Sequence, residues 1–173
     1  IIKKYLTKLS LNKKGTYRFE NDASFIEVKK KNNFIITTDS ISENIDFFKF
    51  DDPRSIAKKI TTINLSDLSA MGATPYAYTL NLFLPKTINH NWLKLFTNEL
   101  KKIQKKYKFY LLGGDLSKSN KILITSTFFG YSKSKKIVTQ NSLSPREDIW
   151  VTGNLGDSFI GLQILKNKYK INS

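Results

Sequence analysis

The chain has 173 residues, 40% of them hydrophobic, and no cysteine. That suffices for one full domain, or one domain and the start of another, and excludes disulfides, thiolate metal sites and a cysteine nucleophile. The formal charge of +15 comes from 29 Lys and Arg against 14 Asp and Glu, with Arg only at positions 18, 54 and 146. Scattered pairs such as Lys13-Lys14, Lys58-Lys59, Lys101-Lys102 and Lys135-Lys136 read as a solvated surface. Base readout and bidentate phosphate clamps favour arginine, so nucleic acid is not an expected partner. No apolar run reaches the roughly 18 residues of a membrane span. The start, Ile1-Ile2-Lys3-Lys4, lacks the apolar stretch of a signal peptide, so a cytoplasmic location is expected.

In chain order, residues 24 to 28 and 34 to 38 read as strands joined by a polar Lys-Lys-Lys-Asn-Asn turn. Asp52 before Pro53 is a helix start, with proline at the position where its missing N–H costs nothing. Ile56, Ile60, Ile63 and Met71 give that helix an apolar stripe, and Gly72 is its stop. Residues 77 to 84 alternate as a strand with Leu80, Leu82 and Leu84 on one face. Trp92, Phe96, Leu100, Ile103 and Tyr107 mark a second amphipathic helix, with His90 at its start. Strands are expected again at 109 to 112, 121 to 130 and 148 to 152, followed by a helix from Gly156 through Leu165. The interleaving predicts an α/β (α+β) fold with a mixed sheet packed by helices, residues 1–145 forming one domain and 146–173 the start of a second.

Acidic residues at breaks in this pattern carry the candidate chemistry: Asp22, Asp39, Asp67 and Asp115. Carboxylates from separate segments, without His or Cys beside them, suit a hard cation such as Mg²⁺ that shares its oxygen ligands with water and substrate phosphates. Asp67 stands out because it interrupts an apolar helical stretch between Ile63 and Met71, where an unpaired carboxylate would be costly. Gly113-Gly114-Asp115 reads as a turn that brings backbone close to a ligand. There is no Gly-x-x-x-x-Gly-Lys-Ser/Thr loop, so a nucleotide site would belong to another architecture.

Five segments in this order resemble the thiamine-monophosphate kinase family. They are Thr37-Thr38-Asp39-Ser40, the run from Asn64 to Pro75, Leu80 to Pro85, Gly113-Gly114-Asp115, and the run from Val151 to Ser158. The resemblance implies an N-terminal domain of the aminoimidazole ribonucleotide synthetase-like fold, dimerising through its strands into a β-barrel. It implies transfer of phosphate from ATP to thiamine monophosphate, giving thiamine diphosphate. It assigns metal binding to Asp22, Asp39, Asp67 and Asp115 with Thr37 and Thr38 near the ions, and nucleotide contact to Gly114, Asp115 and Tyr107. Mg²⁺ and ATP are the cofactor and co-substrate that follow.

The sequence departs from the family at three places. Its Gly-Asp-Asp reads Glu20-Asn21-Asp22, the His of its Glu-Gly-x-His-Phe stretch is Asp46, and an Arg expected near ATP is Gln140. The later Ser-Asp-Gly and Gly-Gly-Glu-Asp motifs are absent, which implies an N-terminal portion that does not turn over substrate alone. The alternatives are a selenophosphate synthetase, hydrogenase-maturation or purine-synthetase relative, or a non-catalytic module that binds nucleotide or polyanion.

Overall fold

The computed structural model describes residues 1–13, 16, 26, 33–132, 138–139, 144–166 and 168–169. The chain divides into two compact units, residues 1–139 and 140–173. In the first, a π turn over Ile2–Leu6 and a 3-10 turn over Thr7–Ser10 precede β1 (Asn33–Ser42), α1 (Pro53–Ala70), β2 (Thr74–Leu84), α2 (His90–Tyr107), β3 (Tyr110–Lys118) and β4 (Leu123–Ser132). The second unit holds α3 (Asp157–Leu165). The expected first strand at 24 to 28 falls, apart from Ile26, outside the described residues.

The helices begin where local chemistry directs. Asp52 caps α1 by accepting the Arg54 amide at 2.9 Å, with Pro53 in the first turn, which satisfies one of the helix's unpaired N-terminal donors. The Arg54 side chain also hydrogen-bonds the Asp52 carboxylate and holds its pKa down at about 2. Asn89 caps α2 through the Trp92 amide at 2.8 Å, and Lys108 ends it in the left-handed conformation at φ 60°. His90 is thus the first helical residue rather than the cap.

The strands form one mixed sheet in the order β1-β4-β2-β3. β4 runs antiparallel to both β1 and β2, whereas β3 lies parallel to β2. A parallel pair needs a crossover, and α2 supplies it. Alternation sorts each strand. Ile35 and Ile41 of β1, Tyr78, Leu80 and Leu82 of β2, and Ile124 and Phe128 of β4 join Ile56, Ile60 and Leu68 of α1 and Leu93, Phe96 and Leu100 of α2 in one core. On the other face a smaller cluster of Ala77, Tyr110 and Leu112 packs with Ile26, Tyr76 and Phe129.

Several expectations change. The buried stripe of α1 runs through Ile56, Ala57, Ile60, Thr61, Asn64 and Leu68. Ile63 and Met71 only flank it, which turns Asp67 outward into an exposed position. In α2, Tyr107 leaves the stripe and is 40% exposed. Gly113-Gly114-Asp115 is not a turn, because β3 runs through it to Lys118. Residues 148 to 152 form no strand: Ile149 and Trp150 are 82% and 90% exposed, and their apolar character finds no ladder.

Candidate functional site

The segment from β1 to α1 builds the site. Odd-numbered residues of β1 face the helices, as the burial of Ile35 and Ile41 requires. That alternation carries Thr37 and Asp39 toward α1. The Thr37 hydroxyl donates to Asp67 Oδ2 at 2.8 Å, joining strand to helix. Asp39 Oδ2 is buried and has no hydrogen-bond partner among the described residues. Its carboxyl pKa is pushed up from 3.8, first by burial and then by the charge of Asp67. Two carboxylates that repel each other, with one oxygen buried and unpaired among the described residues, are arranged for a charge that no described residue supplies. The donors are all oxygen, which fits a hard divalent cation.

The remaining predicted residues stand elsewhere. The row Asp39, Ser126, Leu80, Gly114 crosses all four strands, and Asp115 belongs to the next row, with Asn81, Thr125 and Ser40. Neighbouring rows point to opposite faces. Asp115 therefore lies on the face away from α1, three strand spacings or about 14 Å from β1. There its amide donates to Asn81 Oδ1 at 3.0 Å, and Ser117 donates to its Oδ2 at 2.6 Å. Thr38 shares that outer face: its hydroxyl is 3.0 Å from that of Thr127, and Ser40 is 2.7 Å from Thr125. Tyr107 sits at the end of α2 with Lys106 Nζ 4.9 Å from its ring centroid. Asp22, Asn21 and Gln140 lie outside the described residues. Among the described residues no three His, Asp or Glu side chains gather into one metal-binding group.

Two features escaped the sequence reading. Asn81 supports Asp115 from the neighbouring strand, and its only sequence signal is a polar residue between Leu80 and Leu82. Asp46, where the resembled family carries His, closes a local turn by accepting the Ser42 amide at 2.8 Å.

Residues 20–132 match the family described as AIR synthase related protein, N-terminal domain. The chain belongs to that family. Its AIR synthase related segment includes every described strand and both helices of the first unit. The chain is 38% identical over 148 residues to the thiamine-monophosphate kinase of Buchnera aphidicola subsp. Schizaphis graminum, covering 86% of this chain and 45% of that protein. To the thiamine-monophosphate kinase of Haemophilus influenzae it is 36% identical over 154 residues, covering 88% and 46%. The chain thus spans about half the length of the curated relatives it matches. Among solved structures, the thiamine-monophosphate kinase of Stenotrophomonas maltophilia K279a superposes with a TM-score of 0.78 at 26% identity, over 86% of this chain and 46% of that one. A structure of AaThiL complexed with AMPPCP and TMP gives 0.74 at 26% identity, over 96% and 52%.

Proposed function

We propose that this chain is the nucleotide- and metal-binding portion of a thiamine-monophosphate kinase, which transfers the γ-phosphoryl group of ATP to the phosphate of thiamine monophosphate. The observation that carries the reading is the unpartnered, buried Asp39 Oδ2 beside Asp67, in a family member whose relatives bear that enzyme's name. Thr37, Asp39 and Asp67 would hold Mg²⁺ on the α1 side of the sheet, together with Asp22. A bound cation there supplies charge neutralisation for the crowded phosphate oxygens. The chain's own part is positional: Thr37 fixes the Asp67 carboxylate, and burial leaves Asp39 Oδ2 without a partner among the described residues. The assignment of Gly114, Asp115 and Tyr107 to the nucleotide, and of Thr38 and Asp115 to metal, comes from the resemblance; of these, Gly114 lies in the Asp39 row, whereas Asp115 and Thr38 face the other side of the sheet. The non-catalytic alternative rested partly on Asp46, whose turn-closing role accounts for that substitution locally.

ATP binding is expected to require Mg²⁺, because two ionised carboxylates repel a bare triphosphate. Calorimetric titration with ATP in Mg²⁺ and in EDTA tests it, and the lack of any Mg²⁺-dependent component in the titration would sink the proposal. Asp67→Asn should weaken the Mg²⁺-dependent titration by at least about tenfold, or 1.4 kcal/mol. An unchanged titration would return Asp67 to a structural role as the acceptor for Thr37.

A homodimer through the outer sheet face is the second expectation. Phe34 stacks on Phe129 at 5.8 Å, Tyr76 meets Tyr110 and Tyr131 edge-on at 5.3 and 5.2 Å, and Ile36 is 58% exposed beside them. An apolar sheet face of this kind favours a cover. Light scattering at micromolar concentration should report a dimer, and Ile36→Glu should shift it to monomer. A wild-type monomer at high concentration would refute the pairing.

A further inference from the structure

A cleft of about 620 Å³ separates the N-terminal turns from α2, lined by Lys4, Tyr5, Lys8, Lys94, Lys101 and the α2 start, with Leu9 and Thr97 also in its wall. It is a built feature of the fold. The Gln104 side chain donates to the Leu9 carbonyl at 2.7 Å in a buried bond, and Tyr5 Oη lies 2.9 Å from His90 Nδ1 with the rings stacked. These bonds fix both walls, and four exposed lysines border the space between them. Among the described residues no acidic side chain lines the cleft. The ion pairs among the described residues are Arg54 with Asp52 and Lys102 with Glu99, neither of which involves a cleft lysine. His90 and Asn91 add the opening of α2, whose first turn carries no acidic residue. Amides at such positions have no intrahelical acceptor and bear the positive end of the helix dipole.

A cleft bordered by side chains of one sign raises the local concentration of anions. We propose that this cleft is a metal-independent site for a short oligophosphate chain, separate from the carboxylate pair of β1 and α1. Lysines act as point charges toward phosphate oxygens, and the helix start supplies directional donors. An oligophosphate fits better than a nucleic acid strand, because the cleft's one aromatic ring outside His90 is Tyr5, already stacked on that histidine. Strand binding relies on free stacking platforms. Neither Arg54 nor Arg146 is among the lining residues.

The test is calorimetry of the full 173-residue chain with inorganic tripolyphosphate in EDTA, at about 50 mM salt to limit screening. Without divalent metal, the outcome is independent of the Mg²⁺-dependent ATP site. Two double variants of equal net charge are compared: Lys94→Gln with Lys101→Gln in the cleft, and Lys58→Gln with Lys121→Gln outside it. The cleft pair should weaken tripolyphosphate binding by at least about tenfold while circular dichroism and Mg²⁺-dependent ATP binding are retained, and the outside pair should leave the affinity within about twofold. Equal losses in both pairs would reduce the effect to net charge and overturn the proposal, as would an absence of binding in EDTA. A single-stranded RNA that binds more tightly than tripolyphosphate, and is lost with the cleft pair, would overturn the assignment to a small ligand.

Discussion

Asp39→Asn should raise the thermal stability of the metal-free chain and, in the same molecule, remove the stabilisation that Mg²⁺ confers. The sign follows from the carboxyl's raised pKa, caused by burial first and the Asp67 charge second. The folded state holds the proton more tightly than the unfolded chain does, so ionised Asp39 opposes folding at neutral pH. Its contribution to stability improves as pH falls through the raised value and levels off below the ordinary 3.8. The amide keeps the shape and removes the charge, so the variant gains stability in EDTA at neutral pH and loses that segment of the pH dependence. If Mg²⁺ binds as proposed, wild type at a hundred times its dissociation constant should gain about 2.7 kcal/mol, or on the order of 5–10 °C in melting temperature. The variant should show almost none of that shift. Thermal scans with and without Mg²⁺ read both effects, and a variant less stable than wild type in EDTA would mean that Asp39 has a partner in the fold.

Local chemistry made much of the first unit legible. The Asp52-Pro53 start, the amphipathic helix opening near His90 and the alternation of Leu80, Leu82 and Leu84 are set by neighbours in sequence, and the structure bears them out. What the sequence hid is tertiary. Asp67 looked buried because Ile63 and Met71 seemed to define the stripe, but the helix turns on Asn64 and Leu68 instead. That leaves Asp67 at the rim, where a cation can reach it. The meeting of Asp67 with Thr37 spans 30 residues, and no spacing rule could predict it. Likewise the separation of Asp115 from Asp39 follows from strand order and register, neither of which is written in the local pattern. The apolar run Ile149-Trp150-Val151 suggested a strand, yet a strand exists only where a partner offers its ladder.

Gly114→Ala should be the most damaging single methyl addition in the chain's sheet. The two glycines before Asp115 suggested a turn, but they serve the approach of two parallel strands. A register irregularity between Tyr78 and Thr79 places Thr79 opposite Gly113 and Leu80 opposite Gly114. A Cβ built on Gly114 would stand 1.9 Å from the Leu80 carbonyl oxygen, 2.6 Å from its carbon and 2.9 Å from its nitrogen, and the backbone φ there is +155°. Each of those neighbours is main chain, so no side chain can swing aside, and β3 must draw away from β2. Overpacking of this kind costs about 1–3 kcal/mol when side chains can adjust, and a rigid backbone obstacle puts the expected loss at the upper end, about 3 kcal/mol or more. Because Leu80 and Leu82 carry the core side of β2, the strain reaches the packing under α2, while Asn81 loses its hold on the Asp115 amide. Gly161→Ala is the control, since nothing lies within 4 Å of a Cβ there and alanine favours the helix. Urea unfolding followed by Trp92 fluorescence in a Trp150→Phe background reports the first unit alone, where Trp92 stacks on Phe96 at 4.9 Å. A loss below about 1 kcal/mol for Gly114→Ala, no worse than an ordinary glycine replacement, would show that β3 does not hold this register against β2.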